Sequence, residues 1–166
     1  YLAFVCNSFP ANGAGGDLMN MVRVNVRESL GEAAADKIER SQFTSAVSNT
    51  TDVAVDGRML PHEWIISAAG FLKTDAIDHH DDHFFPGSRD IAWDIAGTII
   101  EWQLTDRART RFVSEFLDRA PGADVKERLP YFEIAYLAYR IGYATLAIEN
   151  LAHDPAETAR FQRLLN

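Results

Sequence analysis

Residues 131–151, YFEIAYLAYRIGYATLAIENL, are the longest apolar stretch in the chain and constrain its fold most. Glu133, Arg140 and Glu149 interrupt the stretch. A bilayer-spanning helix rarely tolerates charges so placed, because each would have to be desolvated in hydrocarbon. The stretch therefore predicts a long buried helix, opened by Pro130, inside a mostly helical core, and no membrane association.

The rest of the pattern agrees with one domain of 166 residues, 47% of them hydrophobic, enough for a sizeable core. The formal charge is 16 − 24 = −8. An acidic balance excludes a general nucleic-acid binder, which would present a basic face. It still admits a phosphate-bearing ligand, since a metal ion reverses the local sign. Cys6 is the sole cysteine, so no internal disulfide framework exists, and a reducing, cytoplasmic compartment is expected. Nothing reads as a signal peptide.

Along the chain, YLAFV at the front predicts a strand, and NSFPANGAGG after it predicts a loop. Asp17 opens a helix whose stripe is Leu18, Met21, Val22, Val26 and Leu30. A break near Gly31 precedes a second helical stretch, and residues 44–59 predict an irregular connection. WIISAAGFLKTDAI predicts a β-hairpin: Trp64, Ile65 and Ile66 favour a strand, Gly70 supplies the turn, and Phe71 and Leu72 return. DHHDDHFFPGSRD predicts a polar loop. Ala92, Ile95, Ala96, Ile99 and Ile100 mark the next helix, and Phe112, Val113, Phe116 and Leu117 another that stops at Pro121-Gly122. Asp154, Pro155 and Glu157 form the start signal of a last helix. The expected class is α+β, mostly helical, with a central hairpin.

Glu63 and Asp75 stand before and after that hairpin. Paired strands lie roughly 5 Å apart, so the two ends of a hairpin meet. Two carboxylates brought so close repel unless a cation lies between them or one takes a proton. His62 competes with Glu63 for the same slot. His79, His80 and His83, interleaved with Asp in one loop, offer transition-metal ligands or, more simply, a polar loop over a cleft. Asp90 and Asp94 near a helix start suit capping of backbone N–H groups. The tryptophans and tyrosines on helices read as core.

The order of elements, with the motifs DGRMLPHEWI, LKTDA and SRDIAWDIAG, resembles the C-terminal lobe of the protein-kinase-like fold, in its aminoglycoside and choline phosphotransferase branch. The resemblance covers most of residues 1–166 as one lobe. It implies that Asp56 is the catalytic acid and that Arg58 faces the transferred phosphate. Glu63 and Asp75 would be ligands of Mg2+, and Asp90 and Asp94 would brace the catalytic loop. YLAFV would be the hinge strand, leading from a small N-terminal lobe that lies outside this chain. The implied reaction moves the γ-phosphate of ATP or another nucleoside triphosphate to a small-molecule hydroxyl. Such chemistry depends on positioning and charge neutralisation more than on covalent help.

Two other readings remain open. Asp56 and Glu63 are separated by seven positions where the family has five, and Glu replaces its Asn, which suits a non-catalytic binding or scaffold module. The His79 to His83 loop suits a metal-dependent phosphohydrolase.

Overall fold

The computed structural model describes residues 1–11, 17–40, 51–68, 70–74 and 89–165. Within them the chain is α+β and mostly helical, and it divides into two compact units. One unit is residues 1–16 with 46–133; the other is residues 17–45 with 134–166.

The first unit opens with helix α1, Leu2–Ser8. This corrects the strand, and the hinge, expected for YLAFV. Only Val5 in that run is β-branched, and Leu2 and Val5, three apart, are buried on one helical face. A short apolar run cannot by itself tell a strand from a buried helix turn. Helix α1 packs on helix α5, Asp106–Arg119, where the Asn7 side-chain amide donates to the Arg119 carbonyl at 3.1 Å.

Strand β1, Asp52–Val53, lies inside the connection expected to be irregular. It pairs antiparallel with β4, Arg89–Asp90, and on its other side exchanges backbone bonds with Phe9 and Ala11. The hairpin is as expected: β2, Trp64–Ser67, pairs with β3, Gly70–Lys73, in the register Trp64 opposite Lys73 and Ser67 opposite Gly70. Gly70 has φ +110, a left-handed conformation that a residue with a Cβ resists. Helix α4, Ala92–Glu101, is buried almost all round, as its run of apolar and small residues dictates. Val53, Ile91, Trp93, Ile95, Val125, Leu129 and Phe132 are the closed core of this unit.

The second unit is helical in its described residues. Asp17 caps α2, Leu18–Leu30, by accepting the Asn20 N–H at 3.0 Å, and Gly31 at φ +88 ends it. Helix α3 is Glu32–Arg40. The long apolar stretch is helix α6, Leu129–Asn150, whose first residues belong to the first unit and whose length from Ile134 belongs to the second. A Cβ on Gly142 would collide with the Asn25 side chain, so α2 and α6 approach closely there. The Ser29 and Thr145 hydroxyls bond across the same contact at 2.9 Å. Helix α7, Pro155–Gln162, starts where the sequence signals it: Asp154 accepts from Ala156 N at 3.0 Å and from Glu157 N at 3.2 Å. Among the described residues no helix is long and apolar enough to cross a membrane.

Candidate active site

The candidate site is a buried cluster of charge in the first unit. Val53 and Val55 are buried, so the chain after β1 runs inward and delivers Asp56, 2% exposed, into the interior. Gly57 at φ +83 turns the backbone. Buried Met59 and a 3-10 turn at Pro61–Glu63 then carry the chain to the base of the hairpin.

Helix α4 holds this loop by its backbone. The Asp94 carboxylate accepts the N–H of Asp56 at 2.8 Å and that of Gly57 at 2.9 Å. The indole N–H of Trp93 donates to the Gly57 carbonyl at 3.4 Å, and that of Trp102, the helix C-cap, to the Met59 carbonyl at 2.9 Å. Two side chains of this helix and one at its C-cap thus hold the loop backbone at Asp56, Gly57 and Met59. The resemblance implied a brace at Asp94; the structure gives this carboxylate two bonds to the loop backbone. Trp93 and Trp102, read from the sequence as core, also satisfy loop carbonyls, as buried indole N–H groups must find acceptors.

Asp90 braces a neighbouring segment. Its carboxylate accepts from Thr51 N at 2.9 Å and Ala92 N at 2.8 Å and pairs with Arg128 at 2.8 Å. It therefore ties β1 to the start of α4 and touches the loop only through the chain. Burial pushes the Asp90 carboxyl up, and the two N–H groups and Arg128 oppose the push.

The cation between the carboxylates is a side chain. The Lys73 ammonium lies 3.2 Å from Asp56 Oδ2 and 2.9 Å from Glu63 Oε2, with its side chain only 2% exposed. The hairpin register places it there: Lys73 is opposite Trp64, the residue after Glu63, and Thr74 closes the base with bonds to the Glu63 carbonyl. The sequence argument put a cation or a proton between Glu63 and Asp75 and did not name this lysine. Asp56 Oδ2 also accepts the Tyr1 phenol at 2.6 Å, a contact spanning 55 positions of sequence. Burial, then this bond to Asp56, raises the phenol well above its ordinary range, so it stays a donor. Asp94 is pushed up to about 7, first by complete burial and then by the charge on Asp56, against the pull of the two backbone N–H groups and Lys73.

Of the other expected site residues, Arg58 is half-buried and its N–H makes a long bond, 3.4 Å, to Asp56 Oδ1. His62 is exposed, while its rival Glu63 is buried. Asp75, His79, His80 and His83 lie outside the described residues. Among the described residues no group of three or more His, Cys, Asp or Glu is arranged to hold a metal ion. Magnesium needs only one or two carboxylates, because it keeps several waters. Between Asp56 and Glu63 the Lys73 ammonium already supplies the positive charge, and Asp75, the other ligand that the resemblance implied, lies outside the described residues.

Beside the cluster lies a cavity of about 520 Å³ lined by Tyr1, Trp64, Phe71, Trp102 and Phe112 among others. Its rings meet edge to face: Tyr1 with Trp64 at 5.4 Å, Trp64 with Trp102 at 6.2 Å, and Phe71 with Trp102 at 5.9 Å. Comparison of the chain with protein-family models, curated proteins and solved structures finds no match.

Proposed function

We propose that the chain is a kinase-like catalytic lobe that transfers the γ-phosphate of a nucleoside triphosphate to the hydroxyl of a small molecule. The observation that carries this reading is the clamp of Asp94 on the consecutive N–H groups of Asp56 and Gly57. A loop so held presents its carboxylate with no reorganisation at the moment of reaction, which is what phosphoryl transfer asks of a protein.

This reading assigns the following roles. Asp56 Oδ2 already holds one hydroxyl, that of Tyr1, at 2.6 Å, so it can hold an acceptor hydroxyl in the same way. The acceptor oxygen attacks the γ-phosphorus, the bond to the β-phosphate oxygen breaks, the nucleoside diphosphate leaves, and the hydroxyl proton passes to Asp56 and then to solvent. Lys73 keeps Asp56 and Glu63 together and offers positive charge beside the incoming phosphate. Arg58, two residues after Asp56, carries a guanidinium of the kind that suits phosphate oxygens. Glu63 with Asp75 would hold Mg2+, which supplies further neutralisation of the triphosphate when bound.

One observation favours a second reading, a non-catalytic binding module: Asp56 Oδ2 is engaged at once by a phenol and an ammonium. Calorimetry of the full-length protein with ATP, with and without Mg2+, separates the two. The phosphotransferase reading expects saturable, Mg2+-dependent binding, and ATP consumption on addition of an alcohol that Asp56→Asn lowers at least roughly a hundredfold, in the range of losing a positioned proton acceptor. Absence of nucleotide binding would favour the binding module.

A further inference from the structure

We propose, resting on the phosphotransferase reading, that the acceptor is an alcohol with a flat apolar body, its body in the aromatic cavity and its hydroxyl on Asp56 Oδ2 in place of the Tyr1 phenol. The inference starts from a single side chain. The Tyr1 ring lines the cavity while its hydroxyl lies 2.6 Å from Asp56 Oδ2. The path from cavity to carboxylate is therefore one phenol long, and what fills it is an aromatic ring carrying a hydroxyl at its far end. A molecule of that shape can take the same place.

The walls select the rest of the molecule. Trp64, Phe71, Trp102 and Phe112 present ring faces and edges that suit a planar apolar body. Two charged side chains line the cavity, Glu115 and Arg119, of opposite sign and 3.6 Å apart. Each offsets the other, so the cavity walls themselves add no net charge that would repay the desolvation of a cationic or anionic body. The Thr98 hydroxyl is already spent on the Asp94 carbonyl, at 2.8 Å. Specificity for a hydroxyl then comes from one place, Asp56.

The test is calorimetric titration of the purified protein with 2-(2-naphthyl)ethanol, with 2-ethylnaphthalene as the probe lacking the hydroxyl, and with choline as the cationic probe. Naphthylethanol should bind roughly tenfold more tightly than ethylnaphthalene, the ratio expected for one hydrogen bond to a carboxylate. Tyr1→Phe, which removes the competing hydroxyl and keeps the ring, should tighten naphthylethanol several-fold and leave ethylnaphthalene unchanged. Phe112→Ala should weaken both probes together, and Phe112→Leu, which keeps more of the volume, should weaken them less. Equal affinity for the two naphthyl probes would overturn the placement on Asp56. Tighter binding of choline than of naphthylethanol, or no saturable binding of either naphthyl probe, would overturn the apolar class. Phosphorylation of a polar alcohol by a protein that does not bind naphthylethanol overturns this inference and leaves the phosphotransferase reading standing. Naphthylethanol binding with no nucleotide consumption on any alcohol removes the acceptor role together with that reading.

Discussion

The two compact units bury different things. In the first, Asp56, Glu63, Arg89, Asp90, Asp94 and Arg128 are all less than 9% exposed. In the second, the buried residues, such as Val22, Val26, Tyr136, Ala144 and Phe161, carry no charge among the described residues. There the charges pair at the surface, as in Arg23 with Glu39 and Arg160 with Glu157. Removing a charge from water costs several kcal/mol unless a partner and hydrogen bonds offset it. A helical unit stabilised by packing has no need of that cost, and the second unit avoids it. The first accepts it repeatedly, at the Asp56 loop and around Asp90, and each acid there has a named partner. The contrast is the physical reason for seeking the proposed site in the first unit.

The sharpest way to break the comparison is to remove the cation. Lys73→Met leaves Asp56 and Glu63 buried and facing each other, and should destabilise the protein by about 3–5 kcal/mol. Urea denaturation measures it, and adding Glu63→Gln to the same chain should restore more than half of the loss. A Lys73→Met chain as stable as the original would mean that the cluster is not buried as described.

Asp94 tests the clamp. In Asp94→Asn one amide oxygen must serve two N–H groups, which should cost about 1–3 kcal/mol. The pH dependence is more specific. Asp94 rises from an ordinary 3.8 to about 7 in the folded protein. The folded state then binds the proton more tightly than the unfolded state, so the stabilisation from this group is complete below 3.8 and is lost as pH rises through 7. Between pH 5 and pH 8 the urea midpoint of the original chain should carry a fall that Asp94→Asn lacks. Equal slopes would show that Asp94 is ionised throughout.

The smallest effect belongs to the second unit. Asp154→Ala removes the cap of α7 and should cost about 1 kcal/mol, read from the thermal midpoint. It should leave nucleotide and naphthylethanol binding unchanged. A change in either would join the second unit to the chemistry and erase the contrast.

Much of the scaffold was legible in the residues. The caps Asp17 and Asp154, the break at Gly31 and the hairpin turn at Gly70 are local, and the structure has them where the patterns put them. Asp94 as a brace was legible from its place in SRDIAWDIAG. YLAFV was misread because five apolar residues fit a strand and a helix turn equally well, and packing against α5 decided between them. Lys73 was missed because a lysine at the end of a strand is usually solvated, and nothing local marks one that points inward.

By itself the sequence determined the longer helices, the caps at Asp17 and Asp154, the central hairpin, and that acids gather before and after it. These follow from backbone and side-chain preferences acting over a few residues. Tertiary structure alone decided which charges meet. The Tyr1 phenol reaches Asp56 across 55 positions, and Lys73 reaches it through the register of a hairpin. Whether a carboxylate such as Asp94 holds a proton near neutrality depends on its burial and its neighbours' charges, and both exist only once the chain has folded.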